Sequence, residues 1–415
     1  MPEVTFLMTV CAPHGAQSTA QTTPRSASPA DTRRPAFTVT VDGSYAAWLA
    51  LGQGTDGWFP ERWTLDGPEP YAVSLPGSQP EEADSEVLPL TDGRVLIRRR
   101  VAERFALSLL YPAGSGTGEL PLGAIECPRL SLLPPAPDGS SAYALVHGEQ
   151  QTTLWRVHGG TTGPELLATV PGLCEGGAWL DRSGRLLALD RELDGLTKAV
   201  VVDLGRGGET SPLLQIAEKS NDRLLLAEPD SGLLIVRSDA PGVDRVGWGV
   251  LGSARPVRFP ECLLLADTTL TPFAAQPGQG LAPEASSVAF RIDAAPPGPA
   301  VPGATTSWVG VWRPAKKQLQ QFQGPAGWLA GAGLWTAGGE LKLPFVTASV
   351  PCGLARLRVS EDGDVLVPGA GTAAATSSTS RPAPDDADAD PDADPASVPA
   401  PRPVPLQQAP CARTP

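Results

Sequence analysis

The chain has 415 residues, of which 45 are Gly and 46 are Pro, and its formal net charge is −13. So much Gly and Pro excludes long helices and calls for many turns. The acidic balance excludes nucleic acid as the main partner, because phosphate binding needs a basic surface. No apolar run approaches the ~20 residues of a bilayer span.

Residues 1–33 are rich in Ser, Thr, Ala and Pro and predict a disordered leader. Their apolar patch has no Lys or Arg before it, so it does not read as a signal peptide. Val10 is the wrong size beside Cys11 for a lipoprotein cleavage site. The expected location is the cytoplasm.

From Arg34 strand signals begin, and they repeat. Seven tight turns align: Val41-Asp42-Gly43, Thr91-Asp92-Gly93, Pro137-Asp138-Gly139, Arg182-Ser183-Gly184, Asp230-Ser231-Gly232, Ala285-Ser286 and Ala337-Gly338-Gly339. Counted from their last residues, the spacings are 50, 46, 45, 48, 54 and 53. An apolar strand follows each turn, at residues 45–49, 95–97, 142–146, 186–189, 233–236, 288–290 and 341–345. A second follows at 62–65, 107–111, 153–157, 199–204, 246–251, 308–312 and 354–359. A period of 45–50 residues with several strands per unit is the pattern of a β-propeller.

Residues 176–216 form the most regular unit. Residues 176–180 suit an inner strand. Asp181 to Gly184 makes a tight turn, and residues 185–190 are apolar enough to be covered on both faces. Glu192-Leu193-Asp194-Gly195 turns again before the Val-rich run 199–204. Gly205-Arg206-Gly207-Gly208 precedes an outer strand expected at 213–216. The last copy ends at 364–367, so the ring is expected to close without a strand from the N-terminus; the alternative is that residues 4–10 pair into a terminal blade.

Pro137-Asp138-Gly139 with Leu154-Trp155 resembles the blade motif of TolB-like, WD-repeat-like β-propeller proteins. There a Pro-Asp-Gly turn precedes an apolar strand and an aromatic-containing strand that ends near an acidic residue and Gly. Residues 199–203 with Gly205 match its second half, whereas the sixth and seventh turns lack the aspartate. The resemblance covers residues 34–368. It implies an all-β, seven-bladed propeller of four-stranded blades, with disordered N- and C-terminal segments. Residues 369–415 are the Pro/Ala/Asp-rich tail, and the acidic run from Asp385 to Asp394 keeps it extended. Similar propellers stand in front of serine-peptidase domains, but no GxSxG nucleophile elbow occurs here. Such propellers host many unrelated roles.

Motifs that carry chemistry are sparse. The GxGxxG of residues 52–57 falls between two strands with no helix after it, and so reads as a hairpin loop. The run from Asp190 to Gly195 resembles the start of a calcium loop, but Val201 stands where the bidentate Glu is needed. It reads as a solvated hairpin. His147 and His158 follow successive strands whose ends point opposite ways, and are expected in exposed loops. Cys127 and Cys174, about one repeat apart, are expected as buried free thiols. Of ten Trp, most fall in strands and serve packing. Trp58, in a loop, and Trp328, beside a Gly-rich turn, are the two that suit a partner face.

These features predict a non-catalytic binding or scaffold propeller, monomeric, that engages a protein or peptide partner. No catalytic, cofactor or metal residue is assigned and no cofactor is expected. The alternative is a small-molecule enzyme, a lyase, hydrolase or cyclase, with carboxylates or Tyr in the central funnel. A cell-envelope role like that of TolB lacks its export signal.

Overall fold

A computed structural model describes residues 36–52, 57–114, 116–161, 163–278, 280–294, 307–359 and 365–366. All of them belong to the unit Met1–Pro368; Gly369–Pro415 forms a second unit. The leader, its possible strand at 4–10, most of the GxGxxG loop and the acidic tail lie outside the described residues.

The first sheet orders β1 (Thr38–Val39), β2 (Tyr45–Leu51), β3 (Trp58–Thr64) and β4 (Tyr71–Ser74). The second holds β5 (Glu86–Pro89), β6 (Val95–Val101), β7 (Arg104–Ala113) and β8 (Gly116–Glu126). The third holds β9 (Leu130–Leu132), β10 (Ala142–His147), β11 (Gln151–His158) and β12 (Glu165–Pro171). Next come β13 (Leu173–Trp179), β14 (Leu186–Leu193), β15 (Leu196–Asp203) and β16 (Glu209–Pro212), then β17 (Asp222–Glu228), β18 (Leu233–Ser238) and β19 (Arg245–Val250). A single parallel pair, Lys198 with Asp222, joins these two groups into one seven-stranded sheet. Two four-stranded sheets follow: β20 (Thr268–Ala275), β21 (Val288–Ala294), β22 (Ser307–Trp312) and β23 (Gln320–Gln323), then β24 (Leu334–Trp335), β25 (Glu340–Phe345), β26 (Gly353–Val359) and β27 (Val365–Leu366). Every other strand pairing is antiparallel and links neighbours in sequence, so each group of strands comes from one contiguous stretch.

Period-two side-chain alternation explains the cores. Along β6, Val95 and Ile97 enter a cluster with Ala47 and Leu49 of the first sheet, whereas Leu96 enters one with Leu130 and Ala144 of the third. Along β14, Leu187 and Leu189 pack with Leu145 and Leu154, and Ala188 packs with Leu224 and Leu234. Along β18, Leu234 and Val236 face back while Leu233 and Ile235 pack forward on Val288 and Phe290. Val309 and Val311 meet Leu341 and Leu343. The last group returns to the first, because Leu329, Val346, Cys352 and Leu354 pack against Trp63, Ala46 and Phe37. Fully burying one such Leu or Val contributes about 1.5–3 kcal/mol.

The turns follow their side chains. Asp42 accepts from the backbone N–H of Ser44, Asp92 from Arg94, and Asp138 from Ser140 and Ser141. The glycine that ends each of these turns has φ of 74°, 81° and 69°, a region closed to most side chains. In the fourth copy Asp181 takes the carboxylate role, bonding Arg185 and Leu186. In the fifth Glu228 does, accepting from Asp230 and Ser231. The sixth copy has a 3-10 turn, Pro283–Ala285, with no side-chain cap.

Two expectations are corrected. The outer strand of the fourth copy is β16, not residues 213–216: Gly207 and Gly208, at φ 67° and 85°, turn the chain back at once, and Leu214 becomes a core residue. The fifth copy has three described strands instead of four. Residues 252–260 pair with β19 only at Trp248 and Arg258, and Pro256 and Pro260 withhold the donors that a fourth strand needs.

Trp63 is fully buried where the first and last sheets meet, edge-on to Phe37 at 4.9 Å, and its indole Nε1 donates to Glu61 at 2.7 Å. Trp63→Ala is expected to cost about 3–5 kcal/mol, read from urea unfolding, with Trp58→Ala costing less because Trp58 is half-buried.

Candidate functional site

The two tryptophans assigned from sequence are not exposed loop residues. Trp328 is in the core, 8% exposed. Its ring packs on Phe273, 5.6 Å between centroids, and its Nε1 donates to the Ala332 carbonyl. Trp58 starts β3 instead of lying in a loop, and is half-buried against the cluster of Ala47 and Leu49. A Trp flanked by apolar strands finds more area to bury there than at the surface. The two histidines stand at opposite ends of the β10–β11 hairpin, where His147 pairs with Thr152 and His158 with Ala142. Neither sits in an exposed loop: both end strands, His147 is buried and His158 half-buried. Cys127 and Cys174 are buried free thiols, in adjacent clusters. Burial pushes the Cys174 thiol up to about 11, so it is a packing group rather than a nucleophile.

The unassigned charges converge instead on one end of the strands, where β13 and β17 begin. Glu175 of β13 stands opposite Asp190 of β14, and Arg223 of β17 stands opposite Arg237 of β18. Arg129, just before β9, reaches Glu175 at 3.2 Å, and Arg223 approaches it at 3.9 Å. Three consecutive strand groups therefore share one ionic chain. Beside it, Ser131 Oγ lies 2.9 Å from His147 Nε2. Burial first, and then the Arg129 charge, hold the His147 imidazole below its ordinary range.

Asp190 is the group that the sequence reading misplaced. It is 8% exposed, not solvated. One oxygen accepts the Leu224 N–H at 2.8 Å, which ties the fourth group to the fifth. The turn it precedes is formed by Asp194 and Gly195, at φ 52° and 78°, so Asp190 lies outside that turn, in the paired part of β14 opposite Ala199. Burial is the first cause that pushes its carboxyl up to about 6, with Glu175 adding to the rise and the Leu224 N–H and Arg223 opposing it. Opposite it, β13 bulges: Gly176 and Gly177 face the single residue Leu189, between the Glu175–Asp190 and Ala178–Ala188 pairs. The signal available in sequence was an Asp that closes an apolar strand, but only the register reveals Glu175 as its neighbour.

The adjoining network is structural. Asp222 is fully buried, and it accepts from Lys198 Nζ at 2.8 Å, Ser238 Oγ at 2.6 Å and Ser220 Oγ at 2.8 Å. Burial opposes its charge, but these bonds outweigh burial and hold its carboxyl low. Among the described residues no group of three or more His, Cys, Asp or Glu is placed to hold a metal ion, and no helix is long and apolar enough to cross a membrane.

No protein-family profile matches the chain, and no curated protein matches it. Solved structures do. Oligogalacturonate lyase from Vibrio parahaemolyticus is similar over 79% of this chain and 89% of its own, at 11% identity and a TM-score of 0.50. The β-propeller domain of the Trilobed protease from Pyrococcus furiosus aligns with 81% of this chain and 95% of its own, at 9% identity and 0.47. TolB from Acinetobacter baumannii aligns with 78% and 79%, at 13% identity and 0.38. The class is thereby defined: the fold is a β-propeller. The blade-turn motif resembles that of TolB-like propellers, and the likeness to solved structures extends to the fold alone.

Because the folded pKa of Asp190 lies above that of an unfolded Asp, its protonated form favours folding, and that contribution is lost as pH rises from about 4 towards 6. About two pH units correspond to roughly 3 kcal/mol. Asp190→Asn keeps an acceptor for Leu224 and removes the buried charge. It is expected to raise the urea midpoint clearly at pH 7.5 and hardly at all at pH 4.

Proposed function

We propose that the chain is a non-catalytic binding propeller of seven blades, with the fifth group of strands as a three-stranded blade. Seven apolar clusters support that count, since each joins one group of strands to the next and the seventh joins the last to the first. The partner is a protein or peptide, and it meets the end of the blades that carries Arg129, Glu175 and Arg223. The observation that carries this reading is the exposed ionic chain across three consecutive groups of strands, with side chains 60%, 58% and 39% exposed. Exposed ion pairs contribute only about 0–1 kcal/mol each, so stability does not account for the arrangement. Like charges placed directly across a strand pair are themselves unfavourable.

Asp190 favours a second reading, a small-molecule enzyme. A buried carboxyl poised at about 6 beside charged groups is the environment of a general acid or base. A conversion in metabolite extract that depends on the wild-type chain and vanishes in Asp190→Asn would establish it.

The binding reading is tested with a photo-crosslinking residue at Gln150, at the tip of the β10–β11 hairpin on the charged end, and at Leu166, 49% exposed on β12. Crosslinked partners from host extract are expected at Gln150 alone. Identical products at both positions, or none at Gln150, would remove the reading.

A further inference from the structure

The charged end supports a more specific assignment, which rests on the binding reading above. Glu175 carries two guanidinium neighbours from different groups of strands, Arg129 at 3.2 Å and Arg223 at 3.9 Å, yet 58% of its side chain is exposed. The arginines have further anchors or open sides of their own. Arg223 Nη2 also donates to Thr197 Oγ1 at 3.3 Å. Arg129 has 60% of its side chain exposed. Arg100, which donates to the Pro128 carbonyl at 2.7 Å beside Arg129, adds a further cation. A planar guanidinium matches a carboxylate in two-point geometry, and an exposed pair of this kind exchanges readily with another carboxylate. Next to Glu175, the bulge at Gly176 and Gly177 takes two residues' peptide groups out of the regular ladder. Main-chain donors and acceptors beside a cationic pair suit an extended peptide.

We propose that Arg129 and Arg223 form a clamp for a side-chain carboxylate of an acidic peptide, and that Glu175 fills this clamp in the free protein as a built-in competitor. The peptide's carboxylate takes the place of the Glu175 carboxylate between the two arginines. Its backbone lies along the bulge. Glu175 thereby sets the threshold that a partner must exceed.

The test is fluorescence anisotropy of a labelled ten-residue Glu/Ser peptide with the full chain. Its Gln/Ser counterpart and a polyuronate oligosaccharide serve as competitors. Arg129→Ala and Arg223→Ala are each expected to weaken binding about tenfold, and Glu175→Gln to tighten it about tenfold, the scale of one charge-assisted hydrogen bond. Arg129 and Glu175 are mostly exposed, so thermal melts of their variants should coincide with wild type, whereas Arg223→Ala also loses its bond to Thr197 and its charge near Asp190 and should melt slightly earlier. Glu175→Gln that binds no tighter than wild type would overturn the competitor role. Arginine variants that bind like wild type, or no binding by any form, would overturn the clamp. Competition by polyuronate as strong as by unlabelled peptide would overturn the choice of a peptide. If Gln150 still crosslinks a partner while the acidic peptide fails, the clamp falls and the binding surface stands; if both fail, the surface falls as well.

Discussion

The second strand of each group has to bury both of its faces, and most of the molecule answers to that demand. Val95, Leu96 and Ile97 are all fully buried, in two different cores. A strand of this kind has no face to give to water, so an isolated sheet would expose one apolar surface or the other. Neighbouring groups must therefore stack face to face, and the end groups must find each other. Small residues adjust the spacing: Ala46, Ala188 and Ala289 occupy one side of their strands where Leu, Val or Phe occupies the other.

Polar groups enter this scheme only where several partners meet them. Asp222 is buried and fully bonded, and it sits at the single parallel pair between two groups. Asp190 is buried with one backbone donor, so it bears a desolvation cost that Asp222 avoids. Two carboxylates a short distance apart in the same fold thus have opposite character. The difference lies in the number of donors each one meets.

The periodic part of the fold could be read from the chain because it depends on local rules. An Asp followed by Gly specifies a turn whatever surrounds it, as at Asp42, Asp92 and Asp138. A run such as 186–189 specifies a doubly covered strand. Outer strands were less legible. Glu209–Pro212 has no apolar alternation, and only the turn at Gly207 and Gly208 makes it pair, whereas the more apolar 213–216 was needed inside. The charged end was not legible at all. Arg129, Glu175 and Arg223 are 46 and 48 residues apart, and their meeting depends on the register and stacking of separate sheets. Trp328 shows the converse error. Gly-rich neighbours suggested exposure, but they serve close approach, since a Cβ at Gly324 would stand 2.8 Å from the Trp328 ring.

Closure between the first and last groups is made, among the described residues, by side chains such as Trp63, Phe37 and Leu354, with each sheet drawing its strands from its own stretch of chain. Among the described residues no ladder of backbone hydrogen bonds crosses that seam. Mechanically, the described part of that seam is a clasp rather than a weld. Tension applied between residue 36 and residue 366 would load apolar packing, which yields gradually, before it loaded any sheet in shear. Unlike the other junctions between neighbouring groups, the seam has no direct chain connection across it, so the packing of Trp63 and its neighbours bears the load there.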